Sequence, residues 1–148
     1  MISCDTNVLF AACMEEDVSH ARIADFLSSY KNSRDFILCE QVLLELYCLL
    51  RNPKVSARPL TAPEAAKVVQ AFRSNPAWRI VDIPEDASVM KAVWEFAKRP
   101  GVAFRRVFDR RLSETLLFHG VDTFATRNVR DFSDAGFSRL VNPWETVP

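Results

Sequence analysis

The sequence predicts an α/β fold, a three-layer α/β/α sandwich around a central, mostly parallel sheet, and three observations carry that expectation. Short apolar runs of strand length alternate with longer segments whose apolar residues recur at helical spacing. Residues that start and stop helices stand at the joints between them. The chain has 148 residues, 49% of them hydrophobic and 26% charged, which suits one domain able to bury a core without disulfide staples. Strands that alternate with helices favour a parallel sheet covered on both faces.

The elements follow in order. Met1 to Cys4 is a short mixed segment that opens the sheet, and Asp5-Thr6-Asn7 is the turn after it. Asn7 to Met14 is apolar enough for a short buried helix. Ser19 is suited to cap a second helix, in which Ile23, Phe26 and Leu27 fall on one face. Phe36 to Cys39 is a continuous apolar run and reads as a buried strand. Glu40 to Arg51 follows at once as a helix, with Val42, Leu43, Leu46, Leu49 and Leu50 at helical spacing and Asn52-Pro53 as its stop. Thr61-Ala62-Pro63-Glu64 is a capping box, opening a helix to about Ser74. Trp78 to Ile83 reads as a strand. Asp86 to Lys98 is an amphipathic helix ended by Pro100-Gly101, and Phe108 to His119 is another, stopped by Gly120. Asp122 to Thr126 is a short strand, and Leu140-Val141 is the last one before Pro143-Trp144.

Composition narrows the function classes. Lys plus Arg and Asp plus Glu both number 19, so the net charge is zero. A nucleic-acid binder relying on bulk charge would be basic. Attraction for phosphate must here be local or supplied by a bound metal. The cysteines Cys4, Cys13, Cys39 and Cys48 form no C-x-x-C pair, and His20 and His119 are far apart in sequence, which argues against a zinc site. Each cysteine sits among apolar residues and reads as a buried, reduced thiol, suited to the cytoplasm. Nothing reads as a signal peptide or membrane span.

In open α/β sheets, chemistry gathers at the carboxyl ends of the strands. Asp5 directly follows the first strand, Glu45 lies one turn into the helix after the second, and Asp109 opens the Phe108–His119 helix. Asn128 and Asp131 follow the Asp122–Thr126 strand. Each has an ordinary explanation: Asp5 and Asp131 as caps, Glu45 as a solvent-facing residue, Asp109 as a dipole partner among arginines, Asn128 as a turn residue. Jointly they bring carboxylates to one edge of the sheet, where they would repel unless a cation neutralised them. Oxygen-only ligation suits Mg2+, with Mn2+ as the alternative. Such an ion clamps phosphate and acidifies bound water.

These residues resemble a known family. Asp5-Thr6-Asn7, Glu45 within Glu40 to Leu46, Phe108-Asp109-Arg110-Arg111-Leu112, and Phe124 to Phe132 match in order the stations of PIN domains, specifically the VapC-type toxin ribonucleases of type II toxin–antitoxin modules. Asn142-Pro143-Trp144 is familiar from one branch. The resemblance covers nearly all of 1–148 and implies a single PIN domain. It further implies magnesium-dependent endonucleolytic cleavage of RNA. Asp5 and Asp109 would hold the metal, and Glu45 would orient or deprotonate the attacking water or join the metal shell. Asn128 and Asp131 would complete the water network, with the Thr6 and Thr126 hydroxyls as further candidates. Many PIN domains carry Asp where this chain has Asn128, which keeps a carbonyl ligand and loses a charge. Asp131 is placed to supply that charge, directly or through water. The resemblance also implies a cognate antitoxin that blocks the site, often with a basic side chain, and a homodimer. Val8 to Met14 and the helix after Thr61 carry apolar residues that either an interface or the core would use.

Arg105, Arg106, Arg110 and Arg111 flank Asp109, and Arg127 and Arg130 flank Asn128. They are candidates for phosphate contacts, with salt bridges on a solvated face as the alternative. Two other functions compete. A haloacid-dehalogenase-like phosphatase also opens with Asp after its first strand, but it needs an acid at the position of Asn7 and a late lysine, and no Lys follows Lys98. A non-catalytic binding module would use the acids only as caps.

Overall fold

The computed structural model describes residues 1–145. Its elements are β1 (Ile2–Cys4), α1 (Thr6–Cys13), α2 (His20–Ser29), β2 (Ile37–Cys39), α3 (Glu40–Arg51), α4 (Ala62–Arg73), β3 (Arg79–Val81), α5 (Ser88–Ala97), α6 (Arg106–Phe118), β4 (Thr123–Ala125), a 3-10 helix at Val129–Phe132, and β5 (Arg139–Val141). β1 pairs with β4 and β4 with β5, while β2 pairs with β3, all in parallel. A parallel bridge between Ile2 and Phe36, and the bond from Ile2 N to the Asp35 carbonyl (2.9 Å), join the two sets. The strand order is therefore β3-β2-β1-β4-β5.

That order accounts for the apolar pattern. β1 and β2 are central and buried along their whole length, as are their sequences Ile-Ser-Cys and Ile-Leu-Cys. The edge strands β3 and β5 each begin with an exposed arginine, Arg79 and Arg139, which discourages edge-to-edge pairing. Right-handed crossovers place α1 to α4 over one face, on the path from β1 to β3, and α5 and α6 over the other, on the return to β4. Val8, Leu9, Leu38, Val42, Leu46, Leu116 and Phe124 belong to one continuous buried cluster. No helix among the described residues is long and apolar enough to cross a membrane.

Some local expectations are corrected. Ser19 is the N-cap residue of α2, but its side chain makes no cap hydrogen bond; its hydroxyl donates to Asp17 Oδ1 and accepts from the Trp144 indole (2.9 Å), and Asp17 Oδ1 takes the Ser19 N–H (2.7 Å). The shorter route to an acceptor, two residues back, wins. α6 begins at Arg106, ahead of Phe108, and the 3-10 helix was not foreseen. The capping box forms, with Glu64 Oε2 accepting the Thr61 N–H (2.8 Å). Cys4 and Cys39 are buried, but Cys48 is exposed, beside exposed Leu44 on the outer face of α3. An apolar residue on an amphipathic helix is not always on its inner face.

Candidate active site

The direction of the strand connections reverses at β1, and the carboxyl ends of β1 and β4 open there, the position at which open parallel sheets bind ligands. Asp5 leaves β1 and Thr126 leaves β4 at this crevice, and the Asp5 N–H donates to the Ala125 carbonyl (2.8 Å). Asp5 does cap α1: its Oδ1 accepts the Thr6 N–H (2.7 Å). Its Oδ2 does something a cap does not need. It accepts from the Thr126 hydroxyl (2.7 Å) and the Asn7 amide (2.7 Å). Three of about four lone-pair directions are filled, leaving one open to a cation.

α3 starts at Glu40 without any loop after β2, which keeps Glu45 one turn from the sheet edge. Its carboxylate is held at both oxygens, by the Thr6 hydroxyl on Oε2 (2.9 Å) and the Gln41 amide on Oε1 (3.0 Å). Asp109 lies in the first turn of α6, half-buried, with the Arg106 Nε 3.6 Å from Oδ2. Asp131, on the 3-10 helix, shares a small polar cleft with Arg106 and Asp109.

Burial dominates the electrostatics of this crevice, and neighbouring carboxylates add to it. Burial, then the charges of Glu45 and Asp109, push the Asp5 carboxyl from 3.8 up to about 6, against the lowering effect of the Thr126 and Thr6 hydrogen bonds. Burial also raises Asp109, aided by Asp131 and Glu45 and opposed by Arg106. Glu45 and Asp109 thus act on Asp5, and Glu45 and Asp131 act on Asp109. Asn128 joins differently: it is exposed, and its backbone N–H donates to the Thr126 hydroxyl (3.0 Å). Asp131 is the group of the two whose charge reaches Asp109.

Among the described residues, no three carboxylate, imidazole or thiol groups stand close enough together to hold an ion unaided. The donor set nevertheless fits magnesium, which keeps several waters and takes one or two carboxylates, and fits it better than zinc. Asp5, with an open lone pair, and Asp109, whose carboxylate accepts no hydrogen bond among the described residues, are the side chains suited to it.

Of the two readings of the arginines, the salt-bridge alternative describes Arg106 and Arg110. Arg106 donates to the Asp131 carbonyl (2.6 Å) and pairs with Asp134 (3.2 Å). Arg110 pairs with Glu114 and donates to the Asp134 carbonyl (3.3 Å). Arg111 donates to Gln41 Oε1 (2.8 Å). Arg105, Arg127 and Arg130 remain exposed, and the Arg127 guanidinium lies over the Trp144 ring, 5.5 Å from its centroid. Gln41 and Asn7, which hold Glu45 and Asp5, were not singled out as site residues; a buried glutamine has no signature in a single sequence.

No family model matches the chain. Ribonuclease VapC24, from two strains of Mycobacterium tuberculosis, is 50% identical over 143 residues, covering 97% of both chains. The chain belongs to the VapC family of toxin–antitoxin ribonucleases. Solved VapC-family and related structures agree with its fold. The Mycobacterium tuberculosis toxin VapC20, described as cleaving the sarcin–ricin loop, superposes with a TM-score of 0.69 at 20% identity, covering 93% of this chain and 96% of that one. VapBC2 from Rickettsia felis, bound to a DNA fragment from its promoter, gives 0.66 at 16% identity, covering 96% and 98%. FitAB bound to a DNA fragment gives 0.69 at 22%, covering 100% and 99%. Membership of the VapC family replaces the dehalogenase-like alternative. In this VapC chain the position that a phosphatase would give to its acid is held by Asn7, whose amide donates to Asp5.

Proposed function

We propose that this VapC-family chain is a magnesium-dependent endoribonuclease, the toxin of a cytoplasmic toxin–antitoxin pair, with Asp5, Glu45, Asp109 and Asp131 as its acidic site and manganese as a workable substitute. The observation that carries this reading is geometric: Thr6 joins Asp5 and Glu45 through its N–H and its hydroxyl, and the charges of Glu45 and Asp109 both reach Asp5, a gathering of carboxylates that a cation would offset. The ion, when bound, supplies a positive charge for a phosphate oxygen and acidifies water. The residues do the rest. Thr126 and Asn7 hold Asp5 Oδ2 and the Thr6 N–H holds Oδ1, which fixes the carboxylate and leaves one position on Oδ1 for the ion. Thr6 and Gln41 fix the Glu45 carboxylate at the rim, where it accepts a proton from an attacking water or orients that water. Asp131 adds negative charge beside Asp109. Exposed Arg127, steadied by Trp144, Arg130 and Arg105 are the cations left to meet RNA phosphates.

An antitoxin partner follows from the family and from the complexes among its structural neighbours. A homodimer is proposed on the resemblance alone. Within Val8 to Met14, Val8, Leu9 and Ala11 are in the core, and Phe10, Ala12, Cys13 and Met14 are partly exposed. The test of the reading is chelation. RNA cleavage by purified protein should vanish in excess EDTA and return on adding magnesium or manganese. Undiminished cleavage in EDTA would rule the metal out.

A further inference from the structure

We propose that Gln41 is a positioning residue: its amide sets the Glu45 carboxylate against the start of α6, and Arg111 locks that amide in place. The inference rests on the ribonuclease reading, in which Glu45 serves the attacking water.

Gln41 is a polar side chain only 7% exposed, in the first turn of α3. Its Nε2 donates to Glu45 Oε1 (3.0 Å), one helical turn on, and to the Phe108 carbonyl (3.1 Å), the residue before Asp109. Its Oε1 accepts from Arg111 Nη1 (2.8 Å). Two acceptors face the amide nitrogen and one donor faces its oxygen. Turning the amide over would oppose oxygen to oxygen twice and NH2 to guanidinium once, so its orientation is fixed. One NH2 group therefore reaches both acid-bearing segments. Arg111 is in turn drawn toward Asp82 (3.8 Å), just beyond β3. Asp82, Arg111, Gln41, Glu45 and Thr6 form a relay across the elements that follow β3, β2 and β1.

A simple strut between α3 and α6 could be made by any side chain of the right volume. A residue acting through Glu45 cannot be replaced that way, and its effect must disappear when Glu45 no longer works. The experiment is a double-mutant cycle on the full chain with magnesium and an RNA that the wild type cleaves. Gln41→Leu keeps the volume and removes the amide. It should lower kcat by about 10–100-fold, the usual effect of losing a residue that orients a metal-site group, with KM within about twofold. In a Glu45→Gln background the same change should add less than about a twofold loss, the scatter expected of uncoupled sites. If Gln41→Leu does not fold, Arg111→Met replaces it, with the same direction and the same loss of effect beside Glu45→Gln. By NMR, the Gln41 side-chain amide should exchange slowly with water in the wild type and quickly in Arg111→Met. Wild-type kcat in the folded variant, losses that multiply in full in the double variant, or fast exchange in the wild type would each overturn the inference alone. Wild-type cleavage by Glu45→Gln would overturn the role of Glu45 and this inference with it.

Discussion

Asp5→Asn should abolish RNA cleavage and at the same time stabilise the metal-free protein. The Asp5 carboxyl stands at about 6 in the folded chain against 3.8 as its ordinary value. Between those two pH values the folded chain holds a proton that the unfolded chain has released. Stability from this group is therefore full below pH 3.8 and is lost as pH rises through about 6. The gap between 3.8 and about 6 corresponds to about 3 kcal/mol of destabilisation at neutral pH. Asparagine removes that charge. It also puts an NH2 where Oδ2 accepts from Asn7 and Thr126, so one hydrogen bond reverses and another is lost, at about 1 kcal/mol. The net gain expected is about 1–2 kcal/mol, or about 3–6 °C in Tm for a chain of this size. Urea unfolding in EDTA at pH 5 and pH 7.5 measures it. The wild type should lose stability between those pH values, and the variant should lose less. A variant less stable than wild type at pH 7.5, or one with the same pH slope, would refute the electrostatic account of the site.

Two further substitutions separate residues that the sequence left level. Asp131→Asn should lower cleavage by about tenfold or more, as for other supporting groups of a metal site, while Asn128→Ala should change it by less than about threefold, since Asn128 contributes its backbone N–H; rates at saturating RNA distinguish them. Arg127→Glu should weaken RNA binding and reduce its salt slope by about 0.7 per lost phosphate contact. Arg110→Glu should leave that slope unchanged and lower Tm, because Arg110 is paired with Glu114; filter binding across salt concentrations checks both.

Much of the fold was legible because its signals are local. The run Phe36 to Cys39 is apolar on every residue and became a strand buried on both faces. The Thr61 to Glu64 box became the start of α4. Asp5, Glu45 and Asp109 could be placed at one edge because each follows a strand closely or opens a helix, so parallel topology alone brings them near. The pairings that decide the site's finer structure were not legible. Whether Arg106 and Arg110 face phosphate or neighbouring acids was open in the sequence, and Asp134, about 25 residues on, is a partner of both. Gln41 looked like any polar residue in a helix's first turn, and only its contact with the Phe108 carbonyl at the start of α6 shows that its amide faces inward. Leu44 and Cys48 show the converse, apolar residues left on an outer face. Strand order, which brings Thr126 to within 2.7 Å of Asp5 across 121 residues of sequence, is a property of the whole chain.

The central claim is that an acidic site at the end of this sheet cleaves RNA with a divalent ion. Single-turnover RNA cleavage by Asp109→Asn, at saturating magnesium and with folding checked by circular dichroism, tests it most directly. The account predicts a loss of at least about 10³-fold, several kcal/mol of transition-state stabilisation at about 1.4 kcal/mol per factor of ten. Cleavage at the wild-type rate would contradict it.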